Sequence, residues 1–449
     1  MVYTVKHDFQ YLKFVEFKDL DFWSVKTLIQ SSNQNSKFHK VEIGKILLRN
    51  RNQIEVQDNQ EYNRVTIRLY NKGVKIRDTV KGSQIGVKRQ TIVKPNLFIL
   101  SKIDARNGAF GVVPDELDGA ITTADFLSYE VNKEIVLPEF LNLFTATKEF
   151  VNLCESSSNG TTGRKRVSEP LFLKMQIPLP TLEIQKQLVK NYQHKITQAQ
   201  NNKIRVLELE KHIETYLMDE LGIEVVEKQK QDNSYKYLQF VEFKELERWD
   251  TWNQKGLVKS DKYELRLFGD LVLDKPMYGS NTKAIKQDSP IRYIRITDID
   301  DYGNLKESRV SSENPENRYL LEDNDFLIAR SGSVGRTFLY KKEFGKCIFA
   351  GYLVKYKVDF SFINSSFLQY YTQSRIFKIW VDSKTRKSSQ PNVNGQEYLT
   401  FPIPLPPLEI QEKIVALIDE WKAEIKELKE SIKSLEIEAK EEFESGVFN

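Results

Sequence analysis

The sequence predicts an α+β protein in which two duplicated mixed α/β domains are joined by two long helices that form an antiparallel coiled coil with pseudo-twofold symmetry. Three observations predict this fold: a long internal repeat, two long amphipathic segments, and many short β-rich runs around them. The chain has 449 residues, enough for two to four domains that each bury a core.

Two pairs of similar phrases reveal the internal repeat. Residues 11–20 read YLKFVEFKDL and residues 237–246 read YLQFVEFKEL, while residues 177–189 read IPLPTLEIQKQLV and residues 403–415 read IPLPPLEIQEKIV. Both pairs are separated by 226 residues. This period is too long for a solenoid, so each copy is expected to be a domain together with its connecting segment.

Each copy ends in a segment whose residue pattern predicts a long helix. Residues 181–222 have a capping candidate in Thr181, an apolar stripe interrupted at Lys203 and Glu210, and a stop at Gly222. The segment after residue 402 repeats apolar residues at spacings of four and three, with either Leu417 or Ile418 on the stripe. The predicted coiled-coil seam consists of Leu188, Tyr192, Ile196, Val206, Ile213, Ile414, Trp421, Ile425, Leu428, Ile432 and Leu435.

Two equivalent helices of about 40 residues, each with an unburied stripe, are expected to pack antiparallel over about 60 Å. Alternatively, they are unrelated amphipathic helices that pack on their own domains. The predicted boundaries are a first domain at 1–175, a central helix at 176–222, a linker at 223–236, a second domain at 237–401 and a distal helix at 402–449.

The two domains read as mixed α and β. Five β-rich runs cover residues 63–70, 96–102, 291–296, 325–330 and 352–358. The repeat persists weakly here: Ala124, Phe126 and Leu127 match Ala350, Tyr352 and Leu353 at the same offset, and Phe98 matches Phe326 two residues out of register. We therefore expect one framework in both domains, with loops that differ.

Charge and cysteine content narrow the class of protein. Residues 407–449 hold 12 acidic residues and 6 lysines, whereas residues 1–170 hold 25 Lys and Arg against 20 Asp and Glu. A basic globular part with an acidic helical part fits a protein that binds DNA with one and protein with the other, although chance patterning of solvated faces is an alternative. Two cysteines, no apolar span and no secretory h-region predict a cytoplasmic protein.

Three segments of the second half form an ordered set of motifs: DFLIARSGSVGR at residues 325–336, KSSQPNVNG at 387–395, and IPLPPLEIQEKIV leading into a long helix. In these motifs and their order, the sequence resembles the specificity subunits of Type I restriction-modification enzymes. In the first half, residues 63–78 and 101–126 are similar to a target-recognition variant of this family. The counterpart of SGSVGR reads KIDARNGAFG there, and no counterpart of NVNG is recognisable before Leu171.

The resemblance implies two target-recognition domains that each read one part of an asymmetric gapped DNA site. It implies a helical spacer that binds two modification (methyltransferase) subunits, which restriction (translocase/nuclease) subunits join. It also implies that S-adenosylmethionine, ATP and Mg²⁺ act on the partner subunits and that this chain binds no cofactor.

Motifs for catalysis are missing from the sequence itself. The glycine segment at residues 332–337 is too short for a Walker A loop and lacks its lysine, and Asn314-Pro315 continues into Glu316 instead of the methyltransferase Asn-Pro-Pro motif. Pro114-Asp115 lacks the glutamate and lysine spacing of a nuclease motif, and the four histidines are scattered. We therefore expect neither a catalytic site nor a metal site in this chain.

The candidate DNA contacts of the second half lie in loops rich in Gly, Ser and Asn that also carry cations. Such loops let backbone amides approach phosphates, while Arg, Asn and Gln can read base edges. For the glycine loop and the asparagines, tight-turn chemistry is the alternative. The candidates are Lys275, Tyr278, Ser280, Asn281, Arg330, Ser331, Ser333, Arg336, Lys384, Arg386, Lys387, Gln390, Asn392 and Asn394.

In the first half, one group of candidates follows a predicted strand and another forms a basic stretch suited to a DNA backbone. These candidates are Arg77, Lys81, Lys88, Arg89, Lys102, Arg106 and Asn107. Two other classes of protein stay open at this point: a coiled-coil scaffold whose domains bind proteins, and the recognition subunit of another two-part restriction system.

Overall fold

The computed structural model describes residues 38–159, 166–224, 258–286, 289–385 and 391–448. The chain divides into two compact units, of which the first comprises Met1–Asn201 with Ser431–Asn449 and the second comprises Asn202–Glu430. The repeated phrases at residues 11–20 and 237–246 and most of the predicted linker lie outside the described residues. The domain boundaries predicted above stay a prediction.

The first unit contains thirteen described strands and the start of a long helix. Its strands are β1 Lys40–Glu42, β2 Leu47–Arg49, β3 Gln53–Glu55, β4 Glu61–Ile67, β5 Val74–Lys81, β6 Arg89–Ile92, β7 Phe98–Ser101, β8 Phe110–Val112, β9 Ile121–Thr122, β10 Phe126–Val131, β11 Ser158–Asn159, β12 Arg166–Val167 and β13 Gln176–Pro178. Its helices are α1 Ile43–Ile46, α2 Pro138–Thr145, α3 Lys148–Ser156, α4 Glu169–Lys174 and the start of α5 Leu182–Glu220.

The framework of this unit is a four-stranded antiparallel sheet in the order β2-β10-β7-β8. Its central strand is buried along its whole length, and Phe98 packs at right angles to Phe150 of α3. A second sheet, with the order β3-β6-β9-β4-β5, is inserted between the framework strands and has a small core of its own. We call the two segments that form this sheet, residues 51–93 and 113–122, the first insert.

The second unit contains the remaining strands and helices. Its strands are β14 Ile223–Glu224, β15 Lys259–Ser260, β16 Leu265–Leu267, β17 Met277–Tyr278, β18 Ala284–Ile285, β19 Arg292–Ile294, β20 Ser311–Ser312, β21 Phe326–Ala329, β22 Thr337–Leu339, β23 Cys347–Phe349, β24 Leu353–Tyr356 and β25 Pro402–Pro404. Its helices are α6 Ser365–Gln373, α7 Arg375–Lys384, α8 Gly395–Tyr398 and most of α9 Leu408–Phe448.

This unit repeats the framework of the first. Its sheet β17-β24-β21-β22 has the same order and antiparallel pairing, and its central strand is again buried. Phe98 pairs with Tyr129, and Phe326 pairs with Tyr356, so the predicted equivalence of Phe98 and Phe326 is confirmed. A different sheet, β18-β20-β19-β23, forms the second insert, which we define as residues 284–321 and 341–349.

One part of the predicted repeat is wrong by a single residue. The last residue of the central strand pairs with Phe126 in the first sheet and with Leu353 in the second. Phe126 therefore corresponds to Leu353, whereas the constant offset matched it to Tyr352. Unequal insert lengths shift this strand, and sequence identity at two positions cannot detect such a slip.

The helices α5 and α9 have 39 and 41 residues and pack antiparallel within each unit. In the first unit, Tyr192 packs edge-on to Phe443. In the second unit, Tyr216 packs edge-on to Trp421. All the predicted seam residues are buried or half-buried, and Ile418 rather than Leu417 takes the buried position. The coiled-coil prediction is confirmed.

A buried glutamine near the start of each long helix makes the same hydrogen bonds in both units. Gln185 Oε1 accepts from Leu137 N at 2.9 Å, and its Nε2 donates to the carbonyls of Ile135 at 2.9 Å and Pro180 at 2.8 Å. Its equivalent in the second copy, Gln411, accepts from Asn364 N at 2.7 Å. It donates to the carbonyls of Phe362 and Pro406. Both amides are completely buried. The duplication is thus preserved at the level of single hydrogen bonds.

The buried amide of Gln185 gives a test of this junction. Replacement by Leu, Gln185→Leu, leaves one amide and two carbonyls without partners, each at a cost of about 1–3 kcal/mol. We expect the midpoint of thermal unfolding of the full chain to fall by about 4 °C or more. The matched control is Gln187→Leu on the exposed side of the same helix, which should change the midpoint little. Equal midpoints for both variants would contradict the role of the buried amide.

A second test uses Lys422 of α9, whose Nζ donates to Gln373 Oε1 at 2.9 Å. Burial lowers the pKa of Lys422 from 10.5 to about 8, although Asp419 and Asp300 oppose the shift. Between these two pKa values the unfolded chain binds more protons than the folded one, so this lysine makes stability rise with pH there.

Replacement of Lys422 by Met should remove this rise. We expect Lys422→Met to be more stable relative to the natural chain at pH 7.5 than at pH 10, as measured by thermal unfolding at a series of pH values. Lys426→Met, at an exposed position of the same helix, is the control. If the two variants differ from the natural chain by the same amount at every pH, the burial argument is wrong.

Candidate nucleic-acid interface

Three sequence segments singled out above meet at one edge of the second framework sheet. The guanidinium of Arg330 lies over the ring of Tyr278, 4.9 Å from its centroid. The hydroxyl of Tyr278 accepts a hydrogen bond from Gly395 N at 3.0 Å. Val393 N donates to the carbonyl of Arg330 at 3.0 Å. Residues near 278, 330 and 393 thus form one site.

The sheet itself brings these segments together. Strands β17 and β21 both pair with β24, so that Tyr278 and Arg330 lie on either side of its end. Ser331 forms an isolated bridge with Asn392, which holds the third segment against the other two. Gly395 allows this approach because a Cβ there would lie 3.1 Å from Pro276 and 3.2 Å from the Tyr278 hydroxyl.

The charge of Arg330 is not balanced by an anion among the described residues. Its side chain is half-buried, and its Nε is buried without a hydrogen-bond partner within the described ranges. No ion pair of Arg330 is found among those residues either, so Tyr278 is its main internal partner. A partly desolvated cation without an anion is costly, and an anion or a hydrogen-bond acceptor that approaches from outside would relieve this cost.

A cleft of about 660 Å³ is lined by residues that neighbour this site in sequence, among them Gly332 and Gly351. Ser280 is buried on its wall, where its carbonyl accepts from the Tyr293 hydroxyl at 2.8 Å. Asn281 and Ser333 also line the cleft, and Tyr352 extends into solvent with 59% of its surface exposed. Polar and aromatic side chains in an open cleft suit the edges of nucleic-acid bases.

The predicted contact at Arg336 is engaged within the domain. Its NH1 donates to the carbonyls of Ile296 at 3.2 Å and Ile299 at 3.0 Å, and its NH2 forms an ion pair with Asp301. Gly332 and Gly335 have φ angles of 83° and 81°, so the loop is a tight turn that needs glycine. These contacts favour the tight-turn alternative, and DNA contact by Arg336 stays a prediction.

The other candidates of the second half have mixed environments. Asn394 caps α8 by accepting from Glu397 N at 2.8 Å, which is the turn chemistry named as its alternative. Lys275 is exposed, and Lys384 lies 6.0 Å from the centre of the Trp380 ring. The candidates Arg386, Lys387 and Gln390 lie outside the described residues.

In the first unit, Lys102 corresponds to Arg330. It follows the buried central strand β7, and its carbonyl accepts from Val167 N at 2.8 Å, as that of Arg330 accepts from Val393 N. The missing counterpart of NVNG is therefore the segment Arg166–Glu169, at the constant offset of 226. Sequence reasoning missed it because only the valine is shared.

The remaining candidates of the first half belong to the first insert or to the turn after Lys102. Arg77 and Lys81 are exposed on the edge strand β5, whereas Arg89 lies on β6, with β9 and β4 between the two strands. Lys88 donates to Asp58 and to the carbonyl of Gly82. Arg106 and Asn107 form a 3₁₀ turn, in which Asn107 Nδ2 donates to Asp104 at 3.4 Å. The sheet order thus separates Arg89 from the β5 cations.

The described part of the chain has two buried free cysteines and no clustered metal ligands. No group of three or more His, Cys, Asp or Glu side chains is arranged there to hold a metal ion. Burial raises the pKa of the Cys347 thiol to about 11 and that of Cys154 further, which makes both poor nucleophiles. None of the described helices combines the length and apolar character needed to cross a membrane.

Among curated proteins, the specificity subunit of the Type I restriction enzyme EcoBI from Escherichia coli is similar to this chain. The two are 21% identical over 262 residues, which make up 57% of this chain and 53% of that protein. The match therefore spans about half the length of the curated relative.

Two solved structures are also similar. A chain from work on complex assembly and conformational transition of the type I R-M system covers 91% of this chain and 96% of its own length, at 17% identity and a TM-score of 0.57. The HsdS subunit from Thermoanaerobacter tengcongensis covers 92% and 97%, at 17% identity and a TM-score of 0.46. At this identity, the first likeness shows a shared fold.

The match to a protein family covers most of the chain and falls on both copies of the repeat. Residues 35–217 and 262–438 each match the Type I restriction modification DNA specificity domain. These ranges include both frameworks, both inserts and most of α5 and α9. The chain therefore belongs to the Type I restriction modification DNA specificity domain family.

Proposed function

We propose that this chain is the DNA-recognition subunit of a Type I restriction-modification complex and that each domain reads one part of an asymmetric gapped site. The observation that carries the proposal is the matched position of Lys102 and Arg330 on two copies of one framework whose inserts differ. Equal frameworks present DNA-facing cations in the same way, and unequal inserts provide a different readout for each half of the site.

The proposal assigns the chemistry to partner subunits. Methyl transfer to adenine requires the base to be flipped into a catalytic pocket, and the sequence lacks the Asn-Pro-Pro motif of adenine methyltransferases. We therefore assign S-adenosylmethionine to two modification subunits, and ATP and Mg²⁺ to restriction subunits. Exposed apolar side chains on the long helices, such as Leu207 at 66% and Ile437 at 56%, support a role of these helices in binding proteins. We propose that the complex binds double-stranded DNA in the cytoplasm.

Base-resolution mapping of methyladenine in the native host, with and without this gene, tests the proposed function. We expect one asymmetric, gapped, two-part motif to lose its methylation when the gene is deleted and to regain it on complementation. The control is complementation with a gene that carries a stop codon within α5. If the methylome is unchanged although the protein is expressed with a methyltransferase bound, the chain is a scaffold rather than a specificity subunit.

Variants of Arg330 test the proposed DNA contact directly. In the complex purified through a tag on this chain, Arg330→Ala should weaken binding to the mapped motif by about tenfold, since a lost contact to base or phosphate costs about 1–3 kcal/mol. A lost phosphate contact also lowers the salt dependence of binding by about one counterion. Arg330→Lys keeps the charge but lacks the planar group that stacks on Tyr278, so we expect an intermediate loss.

Arg318→Ala is the matched control for this prediction. Arg318 also lies over a tyrosine, 4.6 Å from the ring centroid of Tyr319, but it has its own anion in Glu316 at 3.0 Å. Its removal should leave DNA affinity within about twofold of the natural chain. Equal losses for Arg318→Ala and Arg330→Ala would show that the effect comes from general charge and not from the site.

A further inference from the structure

The tip of the β4–β5 hairpin has an unusual backbone. Tyr70 and Asn71 have φ angles of 60° and 57°, so two successive residues other than glycine adopt the left-handed conformation. Asparagine tolerates this region, whereas a bulky tyrosine is disfavoured there. The predicted strand at residues 63–70 ends earlier, at Ile67, because the chain turns at this point. We call residues 68–73 the hairpin tip.

The shape of the hairpin tip is held by hydrogen bonds that do not involve the tyrosine ring. Tyr70 N donates to the carbonyl of Asn107 at 2.7 Å, and Asn71 N donates to that of Gly108 at 3.0 Å. The side-chain amide of Asn71 donates to the carbonyl of Ala146 at 3.1 Å, next to the end of α2. The strained backbone is therefore imposed by long-range contacts, and any side chain at position 70 would be placed in the same way.

The ring of Tyr70 has no structural task in the described part of the chain. The residue is 74% exposed, the largest value found for an apolar or aromatic side chain in that part. Neither its ring nor its hydroxyl contacts another side chain there through a ring contact or a hydrogen bond. A two-residue hairpin turn requires a positive φ at both central residues but favours Asn or Gly there, so the turn accounts for the backbone and not for an exposed tyrosine ring.

The hairpin tip is also strongly basic. Arg68, Lys72 and Lys75 are exposed, and none of them has an ion-pair partner among the described residues. No acidic residue occurs between Glu61 and Asp78. Lysines on an edge strand can serve to prevent strand-to-strand aggregation, which accounts for Lys75 on β5. That role does not account for an exposed tyrosine held at the tip itself.

The hairpin tip belongs to the same surface as the candidate site of the first unit. Its amides bind the loop that begins at Lys102, the equivalent of Arg330. In the second insert, Tyr302 lies on a comparable turn. The carbonyl of Tyr302 accepts from the Nε2 of Gln373, the last residue of α6, at 2.6 Å. The hydroxyl of Tyr302, however, donates to Glu210 at 2.8 Å. Only in the first insert does such a turn leave its tyrosine open, within the part of the chain described here.

We infer that the hairpin tip is a DNA-reading element of the first domain, in which the Tyr70 ring packs against a base or sugar and Arg68 and Lys72 bind phosphates. A two-stranded β-ribbon fits the major groove, and aromatic and basic side chains at its end are suited to bases and backbone. This inference rests on the proposed function, since it names a contact surface for the same DNA.

The test uses Tyr70→Gly in the complex purified from the native host. Glycine favours the left-handed backbone, so this change relieves strain and should keep or raise the thermal stability of the full chain. At the same time it removes the ring. We expect affinity for the mapped motif to fall about tenfold, with the methylation pattern weakened or relaxed at the bases of one half only. Tyr70→Phe, which keeps the ring, should retain most of the affinity.

Asn96→Gly is the matched control, because Asn96 also has a positive φ angle, of 65°, but lies away from the hairpin tip. It should leave DNA affinity unchanged. Arg68→Ala with Lys72→Ala should lower the salt dependence of binding by about two counterions. Unchanged affinity and methylation in Tyr70→Gly would overturn the inference while leaving the proposed function intact. Failure of the natural complex to bind any methylated two-part motif would instead overturn both.

Discussion

A single buried amide in each copy fixes how a long helix meets its domain. Through three hydrogen bonds, Gln185 and Gln411 each join the short segment just before their long helix to the segment that leads into the helical pair α2–α3 or α6–α7. A buried side-chain amide is tolerated only when its groups are satisfied, so the three segments are held in one relative position. This junction also fixes the framework sheet and the candidate site relative to the long helix. Both units therefore present their candidate sites from the same structural base.

The inserts show how one framework can support two different readouts. The first insert is a five-stranded sheet that fastens its hairpin to the framework through Asn71, whereas the second is a smaller sheet that fastens its turn through Tyr302. Both attachments use the carboxyl end of an equivalent helix, α2 or α6. An insert can thus be exchanged without rebuilding the core, because its ends and its point of attachment lie on the framework.

Periodicity and the internal repeat were sufficient to predict the long helices, the duplicated domains and the five strands, because these features follow from side-chain burial at regular spacing. The buried glutamines lie within the repeated LEIQ phrase, and an identical polar residue on an apolar stripe was a signal that could have identified them. The strained conformation of Tyr70 could not be predicted, since it depends on carbonyls more than 30 residues away. The equivalence of Arg166–Glu169 with the NVNG segment is likewise visible only in the backbone hydrogen bonds.

Arg330 and Arg336 show why residue type alone does not locate a binding surface. Both belong to one short loop with an attractive composition, yet Arg336 has two carbonyls and a carboxylate as partners, while Arg330 has mainly the face of Tyr278. A cation whose hydrogen bonds are satisfied inside the domain must break them to bind phosphate, so its net contribution to affinity is small. A cation that is partly desolvated and lacks an anion gains from an external partner without such a loss. By the same reasoning, Tyr70 is the better candidate for DNA contact, because its ring has no partner among the described residues, whereas the hydroxyl of Tyr302 donates to Glu210.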